Sequence, residues 1–273
     1  MSEVVLSDAR VRGEVQRIAT TERLLVAVDF DGTLAPLVDE PMTARMVPAA
    51  RVAIASLVAV PDTVVALVSG RSMPDLRIIA EHGDNSAILL AGSHGAEVWT
   101  PERGLIEPAD TADEVAVRDR LRRHAERLVE DVAGAWIEPK TFGFGLHTRL
   151  TDPAVEPAAQ EAVDALVRAE APHWRRRTGH HIVEYAFRHE GKDSAVAQLR
   201  EITGATGVLF AGDDVTDEDA LRSLGDADLG VRVGDPGTGA DGPSTAATVI
   251  VPDIAAFAGL LAAVAHQRAT ARE

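Results

Sequence analysis

The chain has no cysteine, a single tyrosine, three tryptophans and six phenylalanines. Without cysteine there is no disulfide framework, no thiolate nucleophile, no cysteine-ligated zinc and no iron–sulfur cluster. Positive charge is scarce as well: 27 lysines and arginines face 43 aspartates and glutamates, a formal net charge of −16. Such a surface repels phosphate backbones and anionic headgroups, so neither a nucleic-acid nor a membrane partner is expected. An anionic small molecule then needs a metal or a local cationic pocket. No apolar run approaches the roughly 18–20 residues of a membrane span. The opening MSEVVLSDARVRGEVQ lacks the basic start and apolar stretch of a secretory signal, so a cytoplasmic protein is the expectation.

What is present is 273 residues of which 46% are hydrophobic, enough for a core domain plus a smaller second unit. Residues 24–30, LLVAVDF, read as a buried parallel strand ending in acids, followed by a helix over 48–60 and a strand over 63–68 that closes in Ser69-Gly70-Arg71. A short strand over 87–91 ends in Gly92-Ser93-His94-Gly95. From 112 the texture changes to helix (112–132), strand pair (136–140 and 144–150), helix (153–170) and strand pair (174–178 and 182–187), a compact α+β insert. The β/α rhythm resumes with a helix over 192–201, strand 208–211, helix 216–224, strand 229–233, strand 248–251 and helix 253–268. Residues 234–244, rich in glycine and proline, read as a connection. The expectation is an α/β fold: a doubly wound, mostly parallel sheet formed by 1–107 and 189–273, with an inserted α+β cap domain over 108–188.

Chemistry concentrates where apolar strands end, the place open α/β sheets present side chains to ligands. Asp29-Phe30-Asp31-Gly32-Thr33-Leu34 sets two carboxylates two residues apart there. An Asp-Gly turn accounts for Asp31 but not for a second acid closing a buried run. Beside a divalent cation, one carboxylate can attack phosphorus while its neighbour moves the leaving oxygen's proton. A second acidic group, Asp213, Asp214, Asp217, Glu218 and Asp219, follows another apolar strand and repels itself unless a cation compensates.

DFDGTL resembles the first motif of the haloacid dehalogenase superfamily. The resemblance implies that Asp29 is the nucleophile and a Mg²⁺ ligand, and that Asp31 is the general acid/base, its backbone carbonyl also binding Mg²⁺. Ser69 then falls at the phosphoryl-binding hydroxyl and Lys192 at the cation offsetting Asp29 and the phosphate. Asp213 binds Mg²⁺ directly, with Asp214 and Asp217 in supporting or water-mediated places. DFDGTL, LVSGR, GSHGAE and GDDVTDED together look like the trehalose-6-phosphate phosphatase family, over about 24–264. The substrate implied is a phosphorylated disaccharide, trehalose 6-phosphate, hydrolysed in trehalose biosynthesis. The cap then closes over the sugar, with Lys140 and Glu184 as its foremost contacts and Glu138, His147 and Arg149 beside them. Phe30, Arg71, His94 and Gly95 are expected to line the substrate cleft on the core side. Two positions depart from the family pattern: Thr148 replaces a tyrosine, and Glu184-Tyr185-Ala186-Phe187 replaces an E-x-R-P segment. At so low an aromatic content, Trp99, Trp136 and Trp174 are expected to be buried. The enzyme alternative is a related capped phosphatase for sucrose 6-phosphate or a glycosyl phosphoglycerate; a phospho-receiver module shares the acids and lysine but needs no cap.

Overall fold

The computed structural model describes residues 8–106, 109–179, 181–236 and 245–272. Residues 107 and 108 at the expected insert edge, His180 in the second strand pair, and 237–244 of the Gly/Pro-rich connection lie outside them. The chain divides into two compact units, Met1–Glu107 with Glu190–Glu273, and Pro108–His189.

The larger unit is built on β1 (Leu24–Val28), whose five residues LLVAV are all buried because both faces of the strand are covered. It pairs in parallel with β2 (Thr63–Val68) and with β10 (Gly207–Gly212). Beyond β2 lie β3 (Leu89–Gly92) and an antiparallel edge of β4 (Glu97–Thr100) and β5 (Gly104–Ile106); beyond β10 lie β11 (Leu229–Val233) and β12 (Val249–Val251). The eight-stranded order β12-β11-β10-β1-β2-β3-β4-β5 makes β1/β10 the point from which the chain winds in opposite directions, the place where such sheets bind ligands.

Alternation along the strands feeds two apolar clusters. Val26, Val28 and Leu209 pack with α2 (Pro48–Val58) and α8 (Ile254–Thr270); Leu25, Ala27, Val208 and Phe210 pack with α6 (Lys192–Thr203) and α7 (Asp217–Ser223). Four elements absent from the sequence reading are present. One is α1 (Ala9–Ala19), whose Val11, Val15 and Ile18 form a narrow buried stripe behind an Asp8 N-cap. The others are α3 (Met73–Ile79), capped by Ser72, and the short strands β4 and β5. Far from the strand carboxyl ends, the fully buried Arg268 of α8 donates to Thr63 Oγ1 and to the carbonyls of Ala19, Thr21, Glu22 and Asp62, tying the starts of β1 and β2 together.

The smaller unit is a four-stranded antiparallel sheet, order β6-β7-β9-β8, made of β6 (Trp136–Lys140), β7 (Gly143–His147), β8 (Arg175–Gly179) and β9 (Ile182–Ala186). Helix α4 (Ala112–Val129), opened by a Thr111/Glu114 capping box, packs on α5 (Glu156–Glu170) and on β6 and β7. One sheet face carries the buried Phe144, Leu146, Val183 and Tyr185; by register, the other carries Trp136, Glu138, Lys140, His147 and Glu184.

Candidate active site

The strand expected to run to Phe30 ends at Val28, because the chain turns there. The Asp29 N–H still donates to the Ala211 carbonyl, but the Leu34 and Ala35 N–H groups fold back onto the Phe30 carbonyl and Gly32 donates to Ala35. This turn leaves Asp29 at the carboxyl end of the central strand and buries the Phe30 ring completely in the core, so only the Phe30 backbone remains for a ligand. Gly32 sits at φ +81°, and a Cβ there would lie 2.0 Å from Asp213 Oδ2. Glycine at this position lets Asp213 approach the turn, where Thr33 Oγ1 donates to its Oδ1 at 3.3 Å.

Lys192, the first residue of α6, is 4% exposed, and its Nζ donates to Asp29 Oδ1 and to Asp217 Oδ1, each at 2.6 Å. Asp217 is fully buried and uses its other oxygen to accept from the N–H groups of Asp213 and Asp214. It therefore ties the backbone of the acidic loop to Lys192. Gly212 makes room for it, since a Cβ there would fall 2.1 Å from Asp217 Cγ. Asp29, Asp213 and Asp217 each offer a carboxylate oxygen, and the three lie within 4.8 Å of one another. Asp214 stands apart from this trio, its Oδ1 accepting from the Val215 N–H.

Three acids against one lysine leave the cluster short of positive charge. Burial, with Asp217 and Asp213 adding to it, holds Asp29 well above the usual carboxylate range despite Lys192. Burial and then Asp217 push Asp213 up to about 7. Burial pulls the Lys192 ammonium down, but Asp217 and Asp29 outweigh it and keep it above its ordinary value. A donor set of carboxylate oxygens with unbalanced negative charge is one that fits a hard divalent cation.

Asp31 is held differently. Arg71 grips it with both arms of the guanidinium, Nε to Oδ2 at 2.6 Å and Nη2 to Oδ1 at 2.7 Å. Arg71 lies just past β2, where its N–H donates to Ser69 Oγ at 3.1 Å and Ser69 is 2% exposed. The His94 ring packs over Gly70, where a Cβ would come within 2.7 Å of it, and Gly95 permits close packing on Ala195 of α6. His94 thus braces the Ser69–Arg71 loop, with its N–H on the Ser69 carbonyl. Glu97 and Arg232, given no role in the sequence reading, complete the frame together with Glu218 of the acidic group. Buried Glu97 accepts from the Met73 N–H and from Ser93 Oγ; Arg232 donates to the Asp214 carbonyl and pairs with buried Glu218 at 3.6 Å. The contacts of Glu97 with Met73 and of Arg232 with Asp214 and Glu218 join residues 14 to 24 positions apart, which local sequence patterns do not reveal.

In the smaller unit, Lys140 Nζ lies 2.9 Å from Glu138 Oε2 and 3.4 Å from Glu184 Oε1, and His147 Nε2 lies 2.7 Å from Glu138 Oε2. Burial alone would lower the Lys140 ammonium, yet Glu184 and Glu138 keep it above its ordinary value. Burial raises Glu138, and the bonds from His147 and Lys140 more than reverse this. Arg149 is exposed in the turn after β7 and stands outside this network. Both departures from the family pattern are absorbed structurally: buried Thr148 donates to Glu156 and to the His181 carbonyl, and the Tyr185 hydroxyl donates to Asp164 from the helix-covered face. Trp99 and Trp174 are buried as expected, 5% and 7% exposed; Trp136 is not, at 40%.

The sequence profile of the trehalose-phosphatase family matches residues 27–240, which carry every one of these groups. A trehalose-phosphate phosphatase of Mycobacterium avium is 33% identical over 213 residues, 73% of this chain and 51% of that protein. A Mycobacterium tuberculosis protein described as an uncharacterized glycosyl hydrolase is 31% identical over 242 residues, 82% of this chain but 17% of that protein. The chain thus spans about half or less of the length of these relatives. The C-terminal domain of Candida albicans trehalose-6-phosphate phosphatase shares the fold, with a TM-score of 0.79 at 19% identity over 94% of this chain and 96% of that one. The chain belongs to the trehalose-phosphatase family.

Proposed function

We propose that the chain hydrolyses trehalose 6-phosphate to trehalose and phosphate, with Mg²⁺, through a phosphorylated Asp29. The observation that carries this reading is the contact of Lys192 Nζ with Asp29 and Asp217 beside Asp213. It fixes a carboxylate at the end of the central strand in a pocket that still lacks positive charge. Family membership and the M. avium relative support the substrate.

Asp29, Asp213 and the backbone carbonyl of Asp31 are assigned to hold the ion, with Asp214 and Asp217 supporting. Oxygen-only donors, with neither histidine nor cysteine among them, suit magnesium over zinc. When bound, the ion neutralises negative charge on the carboxylates and on the phosphoryl oxygens.

In the first step an oxygen of Asp29 bonds to phosphorus as the bond from phosphorus to the sugar 6-oxygen breaks, and Asp31 gives that oxygen its proton. Lys192 holds Asp29 Oδ1, which leaves Oδ2 for the attack. In the second step Asp31 takes a proton from water, whose oxygen bonds to phosphorus and releases Asp29. Both steps require Asp31 to leave the Arg71 grip or to share an oxygen with it. The Ser69 hydroxyl and Lys192 stabilise the spread negative charge. Glu138, Lys140, His147, Glu184 and Arg149 are assigned to the sugar hydroxyls.

Phosphate release from trehalose 6-phosphate, glucose 6-phosphate, sucrose 6-phosphate and a glycosyl phosphoglycerate, each with Mg²⁺ and with excess chelator, tests the reading. Mg²⁺-dependent preference for trehalose 6-phosphate is expected. Preference for another sugar phosphate would keep the Asp29 chemistry and overturn the substrate; no release from any would overturn both.

A further inference from the structure

The polar face of the four-stranded sheet carries an aromatic ring that no other observation explains. Trp136 lies on the edge strand β6 in register with His147, and the two rings stack with centroids 4.5 Å apart and planes 1° from parallel. His147 is itself fixed by Glu138, which Lys140 also holds, so the indole is backed by a side chain that is already immobilised. The other two tryptophans follow the usual rule and are buried, whereas Trp136 keeps 40% of its surface in solvent. A large apolar ring held rigid yet exposed, on the same face as a fixed row of charged hydrogen-bonding groups, is a surface that matches a pyranose, which has apolar C–H faces and a rim of hydroxyls.

We propose that Trp136, backed by His147, is a stacking platform for a pyranose ring of the substrate and a specificity-determining residue for sugar phosphates over phosphate esters without a sugar. This rests on the trehalose-6-phosphate reading above. Loss of such a contact is expected to change affinity by about tenfold, equivalent to about 1.4 kcal/mol.

The test measures kcat and KM for wild type, Trp136→Ala and Trp136→Phe with trehalose 6-phosphate and with p-nitrophenyl phosphate. In Trp136→Ala the ratio of kcat/KM between the two substrates should fall by about tenfold, through KM for the sugar phosphate, and Trp136→Phe should restore most of it. A ratio unchanged in Trp136→Ala, or a loss carried by kcat on both substrates, would overturn the platform. Intrinsic fluorescence titrated with trehalose gives a readout independent of turnover, because the other tryptophans are buried: the change expected in wild type should vanish in Trp136→Phe, and a change that persists there contradicts the proposal. If wild type releases no phosphate from trehalose 6-phosphate, the functional reading fails by itself. The platform is then judged by fluorescence titration with trehalose, maltose and sucrose, and no response to any of them overturns it.

Discussion

Lys192 Nζ bridges Asp29 Oδ1 and Asp217 Oδ1 at 2.6 Å each, so one lysine in the first turn of α6 joins the carboxyl end of β1 to the start of the helix that follows β10. Removing it strands several carboxylates in a buried site. Breaking a buried pair from one side typically costs about 3–5 kcal/mol, and losing a charge aimed at the reacting group costs about a hundredfold or more in kcat. Lys192→Met should show both losses, in urea unfolding and in phosphate release. A variant of wild-type stability and rate would contradict the assigned role.

In the proposed site, metal and proton would compete for the same oxygens. Asp213 is pushed from an ordinary value of 3.8 up to about 7. Between those values the folded chain keeps a proton that the unfolded chain has released, so this group's contribution to stability falls as pH rises from about 4 to about 7 and stays low above. Asp29 shifts in the same direction. In chelator, the urea midpoint of wild type should drop between about pH 5.5 and about pH 8 more than that of Asp213→Asn. Mg²⁺ should recover the wild-type loss at the higher pH and do little for the variant. Equal slopes for the two proteins, or an equal Mg²⁺ effect, would count against Asp213 as a ligand.

Gly32 is fixed by the approach of Asp213. An alanine there places a methyl group 2.0 Å from Oδ2 and strains a backbone at φ +81°. Gly32→Ala should weaken Mg²⁺ binding by about tenfold or more while circular dichroism stays native, the scale on which disturbing a ligand's supports acts. Unaltered metal affinity by calorimetry would show that the turn can relax.

In the proposed mechanism Asp31 serves both steps, as acid and then as base. Asp31→Asn should nearly abolish turnover of trehalose 6-phosphate, whose leaving oxygen needs a proton. With p-nitrophenyl phosphate, whose leaving group needs none, the variant should accumulate a phosphorylated chain visible by mass spectrometry, because the second step stalls. Fast turnover of both substrates would remove Asp31 from the mechanism.

At the opposite end of the sheet, Arg268 has five acceptors and no carboxylate partner among them. Burial, with Arg272 adding to it, lowers it to about 10. Arg268→Leu would orphan buried carbonyls and is expected to cost about 3 kcal/mol or more in urea unfolding, leaving kcat per folded molecule unaltered. A loss of kcat without loss of stability would contradict a purely structural role.

Asp29, Ser69 and Asp213 were legible because each closes an apolar run, and the strand order then gathers such ends at one edge of the sheet. Asp217 is legible in the sequence as a supporting ligand, but its burial is not, because that comes from accepting the N–H groups of Asp213 and Asp214 as its side chain folds back on its own loop. The Arg71–Asp31 pair was invisible because it joins two strand ends 40 residues apart. Helix α1 hides its narrow stripe among arginines and a glycine. Trp136 departs from the burial expected of a scarce tryptophan because its register sets it on the polar face.

The most direct test of the central claim is to quench the wild-type chain with borohydride during turnover of trehalose 6-phosphate and map the reduced residue by mass spectrometry. An aspartyl-phosphate at Asp29 should appear as homoserine at position 29 alone, with Mg²⁺ and not with chelator. Rapid phosphate release with Asp29 unmodified, or with reduction at another acid, would contradict the account.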